Sequence, residues 1–276
     1  MNVITKFFSK KDYAEAFQNG KLYMNTLDYF WNQGFEDQKD ILEGVTNLTD
    51  ADGLPFLPED LKKHQYADAQ LQAVGYRYCN VLCMYQVLMK EKRYPAGAGV
   101  EYDTAKRITE FGNYAVIVEN QAEFLRRIAH ACKDFKYLSG PVNYHSPKFN
   151  GAPLDNKNHI ILKIDTPLLI DQFSLTEKIR DSFDKYDRFS WQSEWRLSLY
   201  RGERNISAYT LNIGDIHDIT CLVDASSFEL ALENTIKKGL YRSTDERYHG
   251  NVSRKEMRDL FCKLGDNKAW LLHSIC

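Results

Sequence analysis

The residues of this chain best placed to do chemistry share one short segment, Trp191-Gln192-Ser193-Glu194-Trp195-Arg196-Leu197-Ser198-Leu199-Tyr200. Apolar and polar side chains alternate there with a period of two, the pattern of a β-strand with two unlike faces. A strand regular from Gln192 onward points Trp195, Leu197 and Leu199 one way and Gln192, Glu194, Arg196, Ser198 and Tyr200 the other. The first side is core-like. The second is a row of hydrogen-bonding groups with a carboxylate two residues from an amide and two from a guanidinium. Such a carboxylate can accept a hydrogen bond from a substrate hydroxyl and stabilise positive charge developing beside it. The plainer alternative is a Glu–Arg pair on a solvated face, worth about 0–1 kcal/mol, with Trp195 as a core anchor.

A strand of this kind needs a fold around it, and 276 residues are enough to bury a substantial core. Charged residues at 27% and apolar residues at 43% describe an ordinary globular protein. The formal charge of −2 argues against a protein that coats phosphate backbones nonspecifically. Charge is nevertheless polarised along the chain. Residues 26–70 hold ten Asp or Glu against three Lys, whereas residues 237–268 hold nine Lys or Arg against five Asp or Glu. The six cysteines form no close CxxC pair, Cys79, Cys83 and Cys221 lie in apolar strand-like runs and Cys132 ends an amphipathic helix, which predicts reduced structural thiols. The opening MNVITKFFSKKDY lacks the apolar run of a signal peptide, and no apolar stretch of roughly 18 residues occurs. A cytoplasmic protein without a membrane partner is the expectation.

The supporting elements read as one α+β domain over residues 1–276. A strand over Val3–Phe8, a helix over Lys10–Gln18 capped by Ser9 and stopped by Asn19-Gly20, and a strand over Lys21–Asn25 open the chain. Residues 26–75 read as a loop-rich insertion that caps or lines something. Strands are expected over Tyr76–Leu88, Tyr114–Glu119, Tyr137–Tyr144 and His159–Asp165, and helices over Tyr102–Phe111, Gln121–Lys133 and Thr176–Phe183. Gly97-Ala98-Gly99 reads as a loop. Glu194–Tyr200 and Ser207–Ile213, joined by Arg201-Gly202-Glu203-Arg204-Asn205, read as a hairpin. A strand over Ile219–Val223, a helix over Phe228–Lys238 and a basic helical part within 226–276 complete the chain.

Several pieces together resemble a family of bacterial proteins known mainly as a domain of unknown function. They are Phe17-Gln18-Asn19-Gly20-Lys21-Leu22-Tyr23-Met24-Asn25, the DILEG segment Asp40 to Gly44, Phe111-Gly112, Pro141-Val142-Asn143-Tyr144 and Gln192-x-Glu194-Trp195-Arg196. The same layout is similar, more distantly, to the ADP-ribosyltransferase superfamily. There a strand, a Gly-terminated helix and a second strand with Tyr or Ser-Thr-Ser often precede a later strand bearing a catalytic Glu, sometimes as Gln-x-Glu or Glu-x-Glu. In the first strand, where that superfamily usually has His or Arg, this chain has Thr5, Lys6 and Phe7.

The resemblance implies a split, mixed or antiparallel sheet flanked by helices, and NAD as cofactor. It implies a catalytic set of Glu194, Gln192 and Tyr23, with Lys6, Tyr85 and Arg196 binding the cofactor. Glu194 would stabilise the oxocarbenium-like transition state of nicotinamide loss, a charge type also met in glycoside hydrolysis. Gln192 would orient the acceptor, Tyr23 or Tyr85 would stack on the nicotinamide, and Arg196 and Lys6 would contact the pyrophosphate. The implied role is a toxin or anti-phage effector acting on RNA, DNA or protein and restrained by an antitoxin or inhibitor protein.

Two other classes stay open. The acidic segment with Asp28, Glu36, Asp37, Asp40 and Glu43 could hold Mg²⁺ for nuclease chemistry if Asp40 and Glu43 met Glu194 in space. A non-catalytic module binding a nucleotide or a protein is the third. Asp50-x-Asp52-Gly53 lacks the remaining oxygen ligands of a calcium loop, His217 stands in an Asp-rich turn, and Cys79 with Cys83 lacks partners for zinc, so no metal site is expected.

Overall fold

The computed structural model describes residues 2–33, 47–50, 67–70, 79–94, 97–102, 107–145, 148–149, 152–153, 160–163, 179, 182–201, 207–237 and 249–250. The chain opens with β1 (Asn2–Phe8), α1 (Lys11–Gln18), β2 (Lys21–Thr26) and α2 (Leu27–Gln33). Next come β3 (Asn47–Asp50), β4 (Ala67–Gln70), the long β5 (Cys79–Tyr94), β6 (Gly97–Tyr102) and β7 (Tyr114–Val118). Helix α3 (Gln121–Ala131) leads to β8 (Lys136–Pro141), β9 (Asn143–His145), β10 (Lys148–Phe149), β11 (Ala152–Pro153) and β12 (Ile160–Lys163). The last described part holds β13 (Asp184–Tyr186), β14 (Glu194–Tyr200), β15 (Tyr209–Asn212), β16 (Thr220–Asp224), α4 (Phe228–Lys237) and β17 (His249–Gly250).

The architecture is mixed α+β. A ten-stranded sheet has the spine β16-β7-β1-β5-β14-β8-β17, and its ladders are antiparallel. A smaller sheet joins β11, β10, β3, β4 and β12, and β13 pairs in parallel with β9. Both faces of the main sheet are covered, which explains why its central strands carry so little exposed surface. One face packs Ile4, Met84, Trp195, Leu197 and Leu199 against Phe17 of α1 and Phe124 and Ile128 of α3. The other packs Val3, Phe7, Tyr85 and Ile117 against Phe228 and Leu232 of α4. Glu194, Arg196 and Ser198 lie on this second face, where the segment 182–192 covers them.

Strand β5 organises the site. Its residues Cys79–Tyr85 pair with β14 along one edge. The opposite edge is shared: β1 takes Tyr85–Leu88 and β2 takes Asn80–Val81, so the two part around Leu82–Met84. Backbone directions alternate along a strand, and Gln86 N–H turns toward β14, where it donates to Ser193 O. The Cys83 carbonyl therefore faces the gap between β1 and β2. A buried carbonyl without a ladder partner is costly, and Lys6 Nζ fills the vacancy by donating to it at 2.7 Å.

Five expectations need correction. Of the helix expected over Tyr102–Phe111, Tyr102 ends β6 and Ile108–Phe111 is a 3₁₀ turn. Lys10, in extended conformation and making no side-chain cap, starts α1 in place of Ser9. Gly97-Ala98-Gly99 is not a loop but the start of β6, paired with Lys92–Tyr94. The expected hairpin of 194–200 with 207–213 does not form: β14 pairs with β5 and β8, and β15 pairs with β2. Tertiary pairing overrides proximity in sequence here because β2 and β15 join through Leu22 and Leu211, both in the main core. The C-terminal part includes β17 on the sheet edge as well as the helix α4. Most of residues 26–75, of the helix expected over 176–183 and of the basic tail lie outside the described residues.

The Asn19-Gly20 helix stop is tied to distant structure. Gly20 has φ +78°, and a Cβ there would sit 1.8 Å from the Gly214 carbonyl oxygen. Gly214 itself has φ +79° but open space around it. Gly20→Ala is therefore expected to destabilise by about 3 kcal/mol or more, and Gly214→Ala by about 1–2 kcal/mol, the left-handed strain alone. Thermal unfolding of both variants checks this, and equal losses would rule out the close approach as the reason for Gly20.

Candidate functional site

A cavity of about 210 Å³ opens where β1 and β2 part, on the side of the sheet carrying Glu194. Its polar lining is Lys6, Lys185, Gln192, Glu194 and Arg196, and its aromatic lining is Phe7, Phe30, Tyr85 and Phe111. They come from seven parts of the chain: β1, α2, β5, the 3₁₀ turn Ile108–Phe111, β13, the 3₁₀ turn Asp187–Gln192 and β14. Behind the rim, Trp191 stacks on Phe111 with centroids 5.4 Å apart and planes 7° apart, and the Arg107 guanidinium lies 4.6 Å from the Trp191 ring. That sandwich stiffens one wall.

Glu194 sits at the floor with its side chain only 13% exposed. Arg196 donates through Nε at 2.8 Å and lies 2.6 Å away through Nη2, both to Oε2. Lys185 Nζ reaches Oε1 at 3.0 Å and Gln192 Oε1 at 2.6 Å. Burial alone would push the Glu194 carboxyl up, but the Arg196 guanidinium and then the Lys185 ammonium outweigh it and hold the carboxyl well below the usual range. Glu194 is ionised at neutral pH. Burial, in contrast, lowers Lys6, because Glu194 and Cys83 only partly offset its desolvation. The Cys83 thiol is pushed up to about 11, by burial first and by Glu194 second, and stays neutral.

The strand is anchored from both ends. Glu194 N–H donates to the Tyr144 hydroxyl at 2.8 Å, and its carbonyl accepts from Val142 N–H at 2.9 Å. Arg196 Nη1 donates to Ser182 O at 2.6 Å, tying segment 182–192 over the sheet. Ser193, just before the strand, has φ 40° and ψ 55°, a left-handed conformation costing a non-glycine residue about 1–2 kcal/mol. Its hydroxyl donates to Gln86 O at 2.7 Å, and its carbonyl accepts from Gln86 N–H at 2.7 Å. Those two bonds hold the kink.

The structure brings Lys6, Tyr85, Gln192, Glu194 and Arg196 to one cavity, with two corrections to the expected arrangement. Gln192 is not on the strand: it ends the 3₁₀ turn Asp187–Gln192, and the Ser193 kink intervenes. It reaches the cavity through Lys185. The polar face is also buried, with Arg196 and Ser198 inaccessible, so the solvated-face alternative does not hold. Arg196 faces Glu194 and Ser182, and those bonds occupy the guanidinium expected to contact pyrophosphate. Tyr23 does not line the cavity. Alternation with buried Leu22 and Met24 turns it outward at 60% exposure, where its hydroxyl donates to Asn25 Oδ1.

Lys185, Phe111, Phe30 and Phe7 are functional candidates that sequence reasoning missed. Lys185 lies in a mixed stretch, Phe183-Asp184-Lys185-Tyr186, whose only signal is a lysine between aromatics. Of the acidic residues proposed to hold Mg²⁺, Asp28 is described and does not line the cavity, while Glu36, Asp37, Asp40 and Glu43 lie outside the described residues. Among the described residues no group of three or more His, Cys, Asp and Glu is arranged to hold a metal. His217 bonds Asp215 on the exposed surface. Among the described residues no helix is long and apolar enough to cross a membrane. No family model matches the chain, and neither does any curated protein or solved structure.

The ion-pair geometry predicts a stability effect separable from catalysis. Glu194→Ala strands two buried cations and is expected to cost about 3–5 kcal/mol, whereas Glu194→Gln keeps one acceptor oxygen, for Arg196 or for Lys185, and costs less. Because the folded carboxyl is lowered, its contribution is present above the unfolded value near about 4.3 and is lost as pH falls through the folded value. Denaturant unfolding between about pH 6 and pH 3 should therefore show a steeper loss for the wild type than for Glu194→Gln. Parallel curves would mean that Glu194 does not stabilise the fold by its charge.

Proposed function

We propose that this protein transfers ADP-ribose from NAD⁺ to a macromolecule, RNA, DNA or protein, as a bacterial toxin or anti-phage effector restrained by an inhibitor protein. The observation that carries the reading is a carboxylate kept ionised at the floor of an aromatic-walled cavity, with a lysine at the gap between the first two strands. The order of elements supports it: strand, helix stopped by Gly20, second strand, and the carboxylate on a later strand sharing β5 as neighbour.

The residues fit the ligand in part. At about 210 Å³ the cavity is below the roughly 300 Å³ that encloses a drug-sized molecule, so it suits the nicotinamide and its ribose, with the rest of the dinucleotide toward the rim. When bound, NAD⁺ supplies the ADP-ribosyl group and nicotinamide as the leaving group. Glu194 accepts a hydrogen bond from a sugar hydroxyl with the lone pairs that Lys185 and Arg196 leave, and its charge opposes positive charge developing at the sugar. Tyr85, Phe7, Phe30 and Phe111 offer flat surfaces and exclude water. Lys6 attracts the anionic part of the ligand. Gln192 offers its amide to the acceptor.

A non-catalytic binding module is favoured by one specific fact: both carboxylate oxygens of Glu194 already take part in ion pairs. The two readings separate in one experiment. Purified protein is incubated with labelled NAD⁺ and separate protein, RNA and DNA pools, alongside Glu194→Gln. Transfer predicts label in one pool and release of nicotinamide, with the variant slower by about 100-fold or more. NAD⁺ binding without nicotinamide release would instead select a nucleotide-binding module, and neither binding nor release would remove the transfer reading and leave a module for another partner.

A further inference from the structure

We infer that Lys185 is the positioning residue of this cavity, the group that sets how Gln192 and Glu194 face a ligand. The kinetic part of the inference rests on the transfer reading above; the geometric part does not. Lys185 belongs to β13, which lies outside the main sheet and pairs in parallel with β9 through Asp184↔Asn143, Lys185↔Tyr144 and Tyr186↔His145. Asn143 Nδ2 donates to Asp184 Oδ1 at 2.7 Å, and Asn143 N–H donates to Phe183 O at 2.7 Å, fixing the start of that strand. Alternation then turns Lys185 away from Asp184 and toward the cavity.

An ammonium donates and never accepts. Contact at 2.6 Å with Lys185 Nζ therefore fixes the Gln192 amide, with its oxygen toward the lysine and its nitrogen turned elsewhere. One ammonium thus sets the orientation of the Gln192 amide and of the Glu194 carboxylate together. The same ammonium holds Glu194 Oε1 at 3.0 Å, and its 4% exposure shields the bond from water. Lys185 Nζ also lies 5.1 Å from the Phe189 ring centroid, a cation–π contact with the 3₁₀ turn that follows its strand. Arg196 works differently: it joins Glu194 to the Ser182 carbonyl and so builds the wall.

Among the described residues, the charged and titratable groups around Glu194 are Arg196 on its own strand, Lys185 on β13, Tyr144 on β9, Lys6 on β1, and Cys83 and Tyr85 on β5. Removing the Lys185 charge leaves Arg196 in place, so the fold keeps its anchor while the carboxyl rises toward its ordinary range.

The test uses the full chain with Lys185→Met, and Lys185→Arg as the conservative variant. Carbon-13 NMR of labelled glutamate, with Glu194→Gln assigning the signal, follows the carboxyl directly, and nicotinamide release gives the pH profile. In Lys185→Met the carboxyl midpoint and the acid limb of kcat/KM should both rise by about one pH unit or more. Turnover should fall about tenfold or more while KM for NAD⁺ changes less than about threefold. Lys185→Arg should restore the acid limb but only part of kcat, because a guanidinium keeps the charge without the same point of contact. Lys185→Gln, which removes the charge and keeps a donor, answers the same question should the methionine variant not fold. A folded neutral variant whose carboxyl midpoint stays at the wild-type value overturns the inference. Absence of nicotinamide release from the wild type overturns the transfer reading instead, and the carboxyl midpoint still decides the role of Lys185.

Discussion

One buried carboxylate holds this site together. Glu194 is ringed by two cations that contact it, Arg196 and Lys185, and by a third, Lys6, across the cavity. Among the described residues three cations face this one anion in a desolvated space, and each meets it differently. Arg196 keeps its charge and divides its donors between Glu194 and the Ser182 carbonyl. Lys185 bridges carboxylate and amide. Lys6, farthest from compensation, is lowered by burial. Replacing such a cluster by apolar residues is often neutral or stabilising, so its presence is a reason to look for function rather than an account of stability.

The position of the cluster follows from the sheet. Because β5 gives one edge to β14 and divides the other between β1 and β2, a gap opens beside Leu82–Met84 with an inward-facing carbonyl. Lys6 closes that gap at the level of the backbone and lines the cavity with its ammonium. A strand that parts from its neighbour thus creates a concave space and the polar residue that occupies it in one step. Aromatic rings from both directions, Phe7 and Tyr85 on the sheet and Phe30 and Phe111 above it, give the space apolar walls and strengthen every charge interaction inside it.

Local strain marks the same place. Ser193 adopts a left-handed conformation between two candidate residues, and the neighbouring Gln86 backbone holds it there through two hydrogen bonds. A regular strand would carry Gln192 onward along β5. The kink instead ends the pairing and lets the 3₁₀ turn fold back over the sheet face that carries Glu194, so that Lys185 and Gln192 meet Glu194 there. Departures from ideal geometry that surrounding bonds enforce tend to gather at sites of function.

The sequence determined much of the scaffold and part of the site. Alternation identified β14, its core face of Trp195, Leu197 and Leu199, and Glu194 with Arg196 on the other face. Glycine and helical periodicity located α1, β2 and α3 to within a few residues. These are legible because alternation and helical spacing are local consequences of backbone geometry. Only the tertiary structure decided that the polar face is buried, that β15 joins β2 rather than β14, that Tyr23 turns outward, and that Lys185 stands against Glu194. Each of those depends on which strands lie side by side, and pairing is set by the summed burial of residues far apart in the chain. Lys185 is the clearest case: nothing within its own neighbourhood distinguishes it from a surface lysine, and its role exists only because Arg196 pulls segment 182–192 over the sheet.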